Sequence, residues 1–90
     1  MNSKYEELRD KILQIIYEHQ STGTAELIQA SQIAQQLGLS TQEVDEQLEI
    51  LEMERYVKLA KTLGGDHGAW LQPLGKRRVK EGFKPTATTP

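Results

Sequence analysis

Two histidines, His19 and His67, and thirteen carboxylates are the residues with which this 90-residue chain would do acid–base or metal chemistry. Their spacing offers little for it. The histidines are far apart in the chain, and no third ligand joins them at metal-binding spacing. His19 continues the apolar stripe of the first helix and reads as structural. Asp66 and His67 are neighbours in Gly64-Gly65-Asp66-His67-Gly68, the tip of an expected hairpin, where an acid–base pair would not be held in place. That glycine-rich run is not a phosphate loop, because no Lys-Ser/Thr follows it. There is no cysteine, which removes disulfides, thiolate metal sites and cysteine nucleophiles. The carboxylates fall at exposed helical positions and read as solvated charge. No enzyme, metal or cofactor is expected.

The remaining chemistry is charge. The net charge is −2, but it divides unevenly. Residues 1–55 hold four Lys/Arg and eleven Asp/Glu, giving −7, and residues 56–90 hold seven Lys/Arg and two Asp/Glu, giving +5. Such a split either marks a surface for a charged partner or reflects two helical faces solvated by opposite signs. The basic side chains are Lys58 and Lys61, joined by His67, and the run Lys76, Arg77, Arg78 and Lys80. Apolar content of 37% and a mean hydropathy of −0.60 describe a folded globular domain. No run nears the roughly 18 apolar residues needed to span a bilayer, and no basic-then-apolar leader opens the chain. A cytoplasmic protein with no membrane partner is the expectation.

These charges must be positioned by helices and a hairpin. Residues 3–20 read as a helix capped by Ser3 and Glu6. Tyr5, Leu8, Ile12, Ile15, Ile16 and His19 form one stripe, with Leu13 and Tyr17 on a second flank that meets either a later part of the chain or another copy. Ser21 to Thr24 break the helix. Ala25–Gln29 reads as a brief strand, with a continuous helix over Ala25–Leu37 as the alternative. From Gln29 to Arg55 a short helix, a tight turn and a longer helix follow. Gly38 stops the first in a left-handed conformation, and Ser40 or Thr41 caps the second, with Glu43 or Val44 reciprocating. The longer helix, Thr41 to about Arg55, turns Val44, Leu48 and Leu51 inward. Opposite them lie Gln42, Glu46, Glu49 and Met53, with Glu43 and Ile50 on a shoulder. Tyr56–Lys61 and Ala69–Gln72 make a hairpin, with Trp70 as a core anchor or, alternatively, a pocket wall. Pro73 opens a last helix, packed by Leu74 and Val79 with Phe83. Lys84 to Pro90 are expected to be disordered.

In this order the chain resembles the winged-helix superfamily. The matching residues are Ile33-Ala34 with Leu37-Gly38-Leu39-Ser40, then Val44, Leu48 and Leu51 running into Arg55-Tyr56-Val57, and Leu71-Gln72-Pro73-Leu74-Gly75. The resemblance spans roughly residues 5–83. It implies an α+β winged helix: a three-helix core, a small antiparallel sheet with a wing hairpin, and a C-terminal fourth helix. The domain would occupy residues 1–84, with a tail over 85–90. It also implies a bacterial transcription regulator, often dimeric, whose third helix enters the major groove and whose wing, Thr62–Gly68, touches the backbone.

The third helix departs from that pattern. It carries Glu43, Asp45, Glu46, Glu49, Glu52 and Glu54 against one base, Arg55. A carboxylate about 7 Å from a phosphate in water costs about 0.6 kcal/mol before screening, and affinity for DNA comes mostly from cations. Two readings follow. In one, DNA is contacted by Lys58, Lys61, His67, Lys76, Arg77, Arg78 and Lys80, and the acidic helix points away. In the other, Glu46, Glu49, Ile50 and Met53 form an apolar spot with an acidic rim. That spot would serve a basic protein partner or a homodimer. The basic run also reads as a solvated helix face, and Ile50 as a residue packed on the preceding helix.

Overall fold

The first helix, α1, takes its length from an uninterrupted run of helix formers and spans Ser3–Thr22. The computed structural model describes residues 3–22, 27–62, 65 and 67–81, with the side chains of residues 3 and 4 left aside. The Ser3 cap, residues 23–26, Gly64, Asp66, Phe83 and the tail therefore lie outside the described residues. α1 passes two residues beyond the expected end. Ser21 Oγ and Thr22 Oγ1 each donate to the carbonyl four residues back, Tyr17 and Glu18, at 2.9 Å. Both hydroxyls are thereby satisfied within the helix.

Strand β1 is short, Ile28–Gln29, and α2 starts directly after it at Ala30–Leu37. Gly38 ends α2 at φ 72°, where an L side chain would be strained. Ser40 then caps α3, Thr41–Met53: its Oγ accepts from the Glu43 N–H at 3.1 Å, and Glu43 Oε1 accepts from the Ser40 N–H at 3.1 Å. Of the expected capping pairs, Ser40 with Glu43 is the one formed.

α3 stops two residues short of Arg55. Arg55 itself sits at φ 70°. Its N–H donates to the Glu52 carbonyl and the Tyr56 N–H to the Leu51 carbonyl, both at 2.9 Å. That pair of bonds is the paired closure of a helix C-terminus, in a place where glycine is usual. Strands β2, Val57–Lys61, and β3, His67–Leu71, then pair antiparallel, with Val57 opposite Leu71 and Lys61 opposite His67. His67 and Gly68 thus belong to a strand, not to the loop tip. β1 adds to the other side of β3, Ile28 opposite Ala69, and the sheet order is β1-β3-β2. α4, Pro73–Lys80, opens with Pro73 in its first turn.

The described residues make an α+β fold of four helices and a three-stranded antiparallel sheet. Ile12, Leu13 and Ile16 of α1, Ile33 of α2, and Val44 and Leu48 of α3 are fully buried, and Ile28, Ala30, Ala34, Leu51, Val57, Ala69, Leu71 and Val79 complete the core. Leu13 therefore packs within its own chain, and Tyr17 packs partly against the same core. A dimer seam through Leu13 is corrected by that burial. Two residues expected inside lie outward. Tyr5 is 50% exposed at the head of α1, and Leu74 is 42% exposed on α4. Leu74 falls on the flank of α4, because Gly75 and Val79 are the residues that face the core. Trp70 is half-buried and stands outside the core cluster. It shares its position across the hairpin with exposed Lys58.

Candidate interaction surfaces

α4 sorts its four cations by helical position. Lys76, Arg77 and Lys80 are related by one, three and four residues and share one side of the helix. All three are exposed, and none has a hydrogen-bonding or ionic partner among the described residues. Arg78, one step further round, turns toward α1. Its Nε and Nη2 donate to Asp10 Oδ1 at 3.1 and 2.9 Å. Its guanidinium lies over the Tyr56 ring, 5.5 Å from the centroid. Partial burial opposes the charge, but Asp10 and Tyr56 outweigh it, so Arg78 is held above the ordinary arginine value. Sequence reasoning grouped all four cations because it had no view of Asp10 as a partner.

The hairpin places Lys58 and Lys61 on β2, both exposed. His67 is different. It stands opposite Lys61 in the sheet and reaches α3, where its Nδ1–H donates to Asp45 Oδ1 at 3.0 Å. The pair is three-quarters buried on each side, at 25% exposure.

The acids of α3 divide by helical position as well. Asp45 and Glu52, two turns apart, lie on the flank that meets the hairpin. Asp45 holds His67, and Glu52 Oε2 accepts from the Leu59 N–H at 3.2 Å. β2 is an edge strand, so this carboxylate covers an amide that would otherwise face outward. Glu43 is engaged at the N-cap. Glu54 lies beside Glu6, Arg9, Asp10, Tyr56 and Arg78 around a small open cavity of about 140 Å³. Arg9, on the rim of that cavity, donates to Gln47 Oε1 at 3.0 Å, which satisfies a glutamine only 8% exposed. Of the charges around the cavity, Asp10 and Arg78 are committed to each other and Arg9 to Gln47.

Glu46 and Glu49 remain outward and without a hydrogen-bonding or ionic partner among the described residues. Met53 stands between them in helical projection and is 79% exposed, and Ile50 is half-buried on the shoulder. The four residues expected as a partner surface therefore do lie together on α3. They do not join the basic side chains of α4, which packs on α1 and β3, while α3 packs on α2, β2 and α1.

His19 is occupied as well, its Nε2 donating to the Leu27 carbonyl at 3.1 Å. Among the described residues no group of three His, Asp or Glu is arranged to hold a metal ion, and no helix is long and apolar enough to cross a membrane. Sequence reasoning missed Asp10, Gln20, Asp45, Gln47 and Glu52 as positioning residues. Gln20 Oε1, for example, accepts from the Leu71 N–H at 2.7 Å and ties the end of α1 to β3. Only helical phase hinted at any of them, in Asp45 and Glu52 sharing a flank. In comparisons with known proteins, no family model, curated protein or solved structure matches this chain.

Proposed function

We propose that this chain is a winged-helix nucleic-acid-binding module of the transcription-regulator type. It holds duplex DNA by its backbone through α4 and the β2 strand, with α3 turned away. The order of helices and sheet supports the winged-helix reading. So does the docked hairpin, whose strand ends carry Lys61 and His67. The observation that carries the contact surface is the exposed trio Lys76, Arg77 and Lys80, three cations on one helix face that make no ion pair among the described residues, with Glu81 beside them at the helix end. Lys58 and Lys61 add exposed positive charge on opposite faces of β2.

The acidic third helix weighs less against this reading than its composition suggests. Asp45 and Glu52 face the hairpin, Glu43 faces its cap and Glu54 borders the cavity beside Arg78, so two carboxylates, Glu46 and Glu49, define the outer face. At about 0.6 kcal/mol each near a phosphate, two carboxylates cost about 1 kcal/mol, less than several released counterions return at low salt.

The test is binding to a random-sequence duplex of about 20 base pairs, followed by fluorescence anisotropy between about 50 and 200 mM salt. Expected is weak binding, with a Kd on the order of 10⁻⁶–10⁻⁴ M, that fades steeply with salt and is lost in Lys76→Ala/Arg77→Ala/Lys80→Ala. Absence of binding at the lowest salt, or binding that the triple variant retains, sinks the proposal.

A further inference from the structure

We infer that the outer face of α3 docks on the basic face of α4 from a second copy of this chain. This goes beyond the nucleic-acid reading, which gives α3 no partner.

The two faces are matched in chemistry. On α3, Met53 is 79% exposed, and Glu46 and Glu49 flank it. On α4, Leu74 is 42% exposed at the edge of Lys76, Arg77 and Lys80. Each face thus carries one solvated apolar side chain beside charges, acidic on α3 and mainly basic on α4, where Glu81 borders Lys76, Arg77 and Lys80. The spacing matches too. Glu46 and Glu49 are three residues apart, as are Arg77 and Lys80, so each pair has its Cβ atoms about 5–6 Å apart. An isolated thioether on a helix surface is unremarkable. One set on the same helix face as two carboxylates, with a complementary helix on the same chain, points to an occupant.

That occupant is not the chain's own α4. Within one molecule α4 is packed on α1 and β3, and α3 on α2, β2 and α1, so each charged face points away from the core that holds it. Pairing them takes two molecules. A two-fold arrangement makes both α3–α4 contacts at once and leaves neither face open, which is the closed form expected of a homodimer. The charges set the register and the salt dependence of the encounter. Because α4 is also the surface proposed for nucleic acid, duplex and second copy exclude each other there.

The experiment is sedimentation velocity on the full chain without nucleic acid, from about 10 µM to 1 mM protein, at about 50 and 500 mM salt. Expected is a concentration-dependent dimer that weakens at least about tenfold at the higher salt. Glu46→Lys/Glu49→Lys and Lys76→Glu/Lys80→Glu should each be monomeric alone, and an equimolar mixture should recover a heterodimer, since one contact is then restored with reversed signs and the other keeps the parent ones. Glu7→Lys/Glu18→Lys, which changes net charge equally on the exposed side of α1, should still self-associate. Met53→Ser should weaken the dimer without altering charge. Circular dichroism confirms folding of each variant. A monomer at every concentration in low salt overturns the inference. So does a dimer that survives either the α3 or the α4 variant, since another surface would then be responsible. A monomer that still binds duplex would separate the two readings, retaining the nucleic-acid one and ending this one.

Discussion

Asp10 Oδ1 accepts two hydrogen bonds from Arg78, from Nε at 3.1 Å and from Nη2 at 2.9 Å, and so joins α1 to α4 across 68 positions of sequence. The pair is partly shielded, at 23% and 38% side-chain exposure, and Tyr56 lies beneath the guanidinium. Arg78 is therefore a fold-holding cation among nucleic-acid candidates, and substitution should separate it from its neighbours. Arg78→Ala is expected to cost about 1–2 kcal/mol of stability, between an exposed ion pair and a buried charged hydrogen bond. It should leave the salt dependence of duplex binding almost unchanged. Replacing any one of Lys76, Arg77 and Lys80 by alanine should do the reverse, reducing the slope of log K against log salt by about 0.9, one phosphate contact, with little change in thermal midpoint. Urea titrations beside the anisotropy series read both quantities. An Arg78→Ala variant as stable as the parent but with a shallower salt slope would reverse the assignment.

The hairpin is fastened to α3 by Asp45 and Glu52. A double-mutant cycle on Asp45→Ala and His67→Ala should give a coupling of about 0.5–1.5 kcal/mol, since the two groups are in direct contact and mostly shielded. Glu52→Gln keeps the shape but weakens a charge-assisted bond to the Leu59 amide. Faster hydrogen exchange at Leu59 is expected, with little change at core amides of α1. A Leu59 amide that exchanges at the parent rate would show that Glu52 does not hold this edge.

Features set by short-range chemistry were readable in the sequence. Gly38 and the Ser40–Glu43 pair act over three or four residues, and the structure has both in the expected roles. The inward phase of Val44, Leu48 and Leu51 was readable for the same reason, because periodicity is local. The outward set Glu46, Glu49 and Met53 followed from the same phase. What sequence could not supply were the pairings made by folding. Asp10–Arg78 and Asp45–His67 join residues 68 and 22 positions apart, and each had looked like free surface charge. Leu74 and Tyr5 were misplaced because an apolar residue near a core stripe need not be the one that enters it.

Gly75 offers a sharper test of packing. It is buried in the first turn of α4, and a Cβ there would meet the Tyr56 carbonyl oxygen and press on Leu71. Alanine is the better helix former by about 1 kcal/mol. The obstacle, however, is backbone, already fixed by the Gln72 N–H at 2.9 Å, and cannot rotate aside. Overpacking of this kind costs about 1–3 kcal/mol, so the clash should prevail. Gly75→Ala is expected to lower the thermal midpoint by several degrees, at about 4–8 °C per kcal/mol for a domain of this size. A midpoint at or above the parent value would mean α4 can slide on the sheet.

Arg55 is the opposite case, a side chain where glycine would serve better. At φ 70° it closes α3 through two backbone bonds, which any residue able to adopt that φ can make. The left-handed conformation costs an L-residue about 1–2 kcal/mol. Glycine gives back about 0.4–1 kcal/mol through the greater freedom of its unfolded chain. The balance favours substitution: Arg55→Gly should stabilise the fold by about 0.5–1 kcal/mol, with Arg55→Asn in between. Arg55→Val should destabilise it, since a branched Cβ tolerates this region least. The side chain is exposed and makes no hydrogen bond or ion pair among the described residues, so nothing there offsets the gain. Urea unfolding with an unchanged m-value reads the effect directly. The order Gly above Asn above Arg above Val would locate it in the backbone. A glycine variant less stable than the parent would show instead that the arginine side chain contributes more than the strain costs.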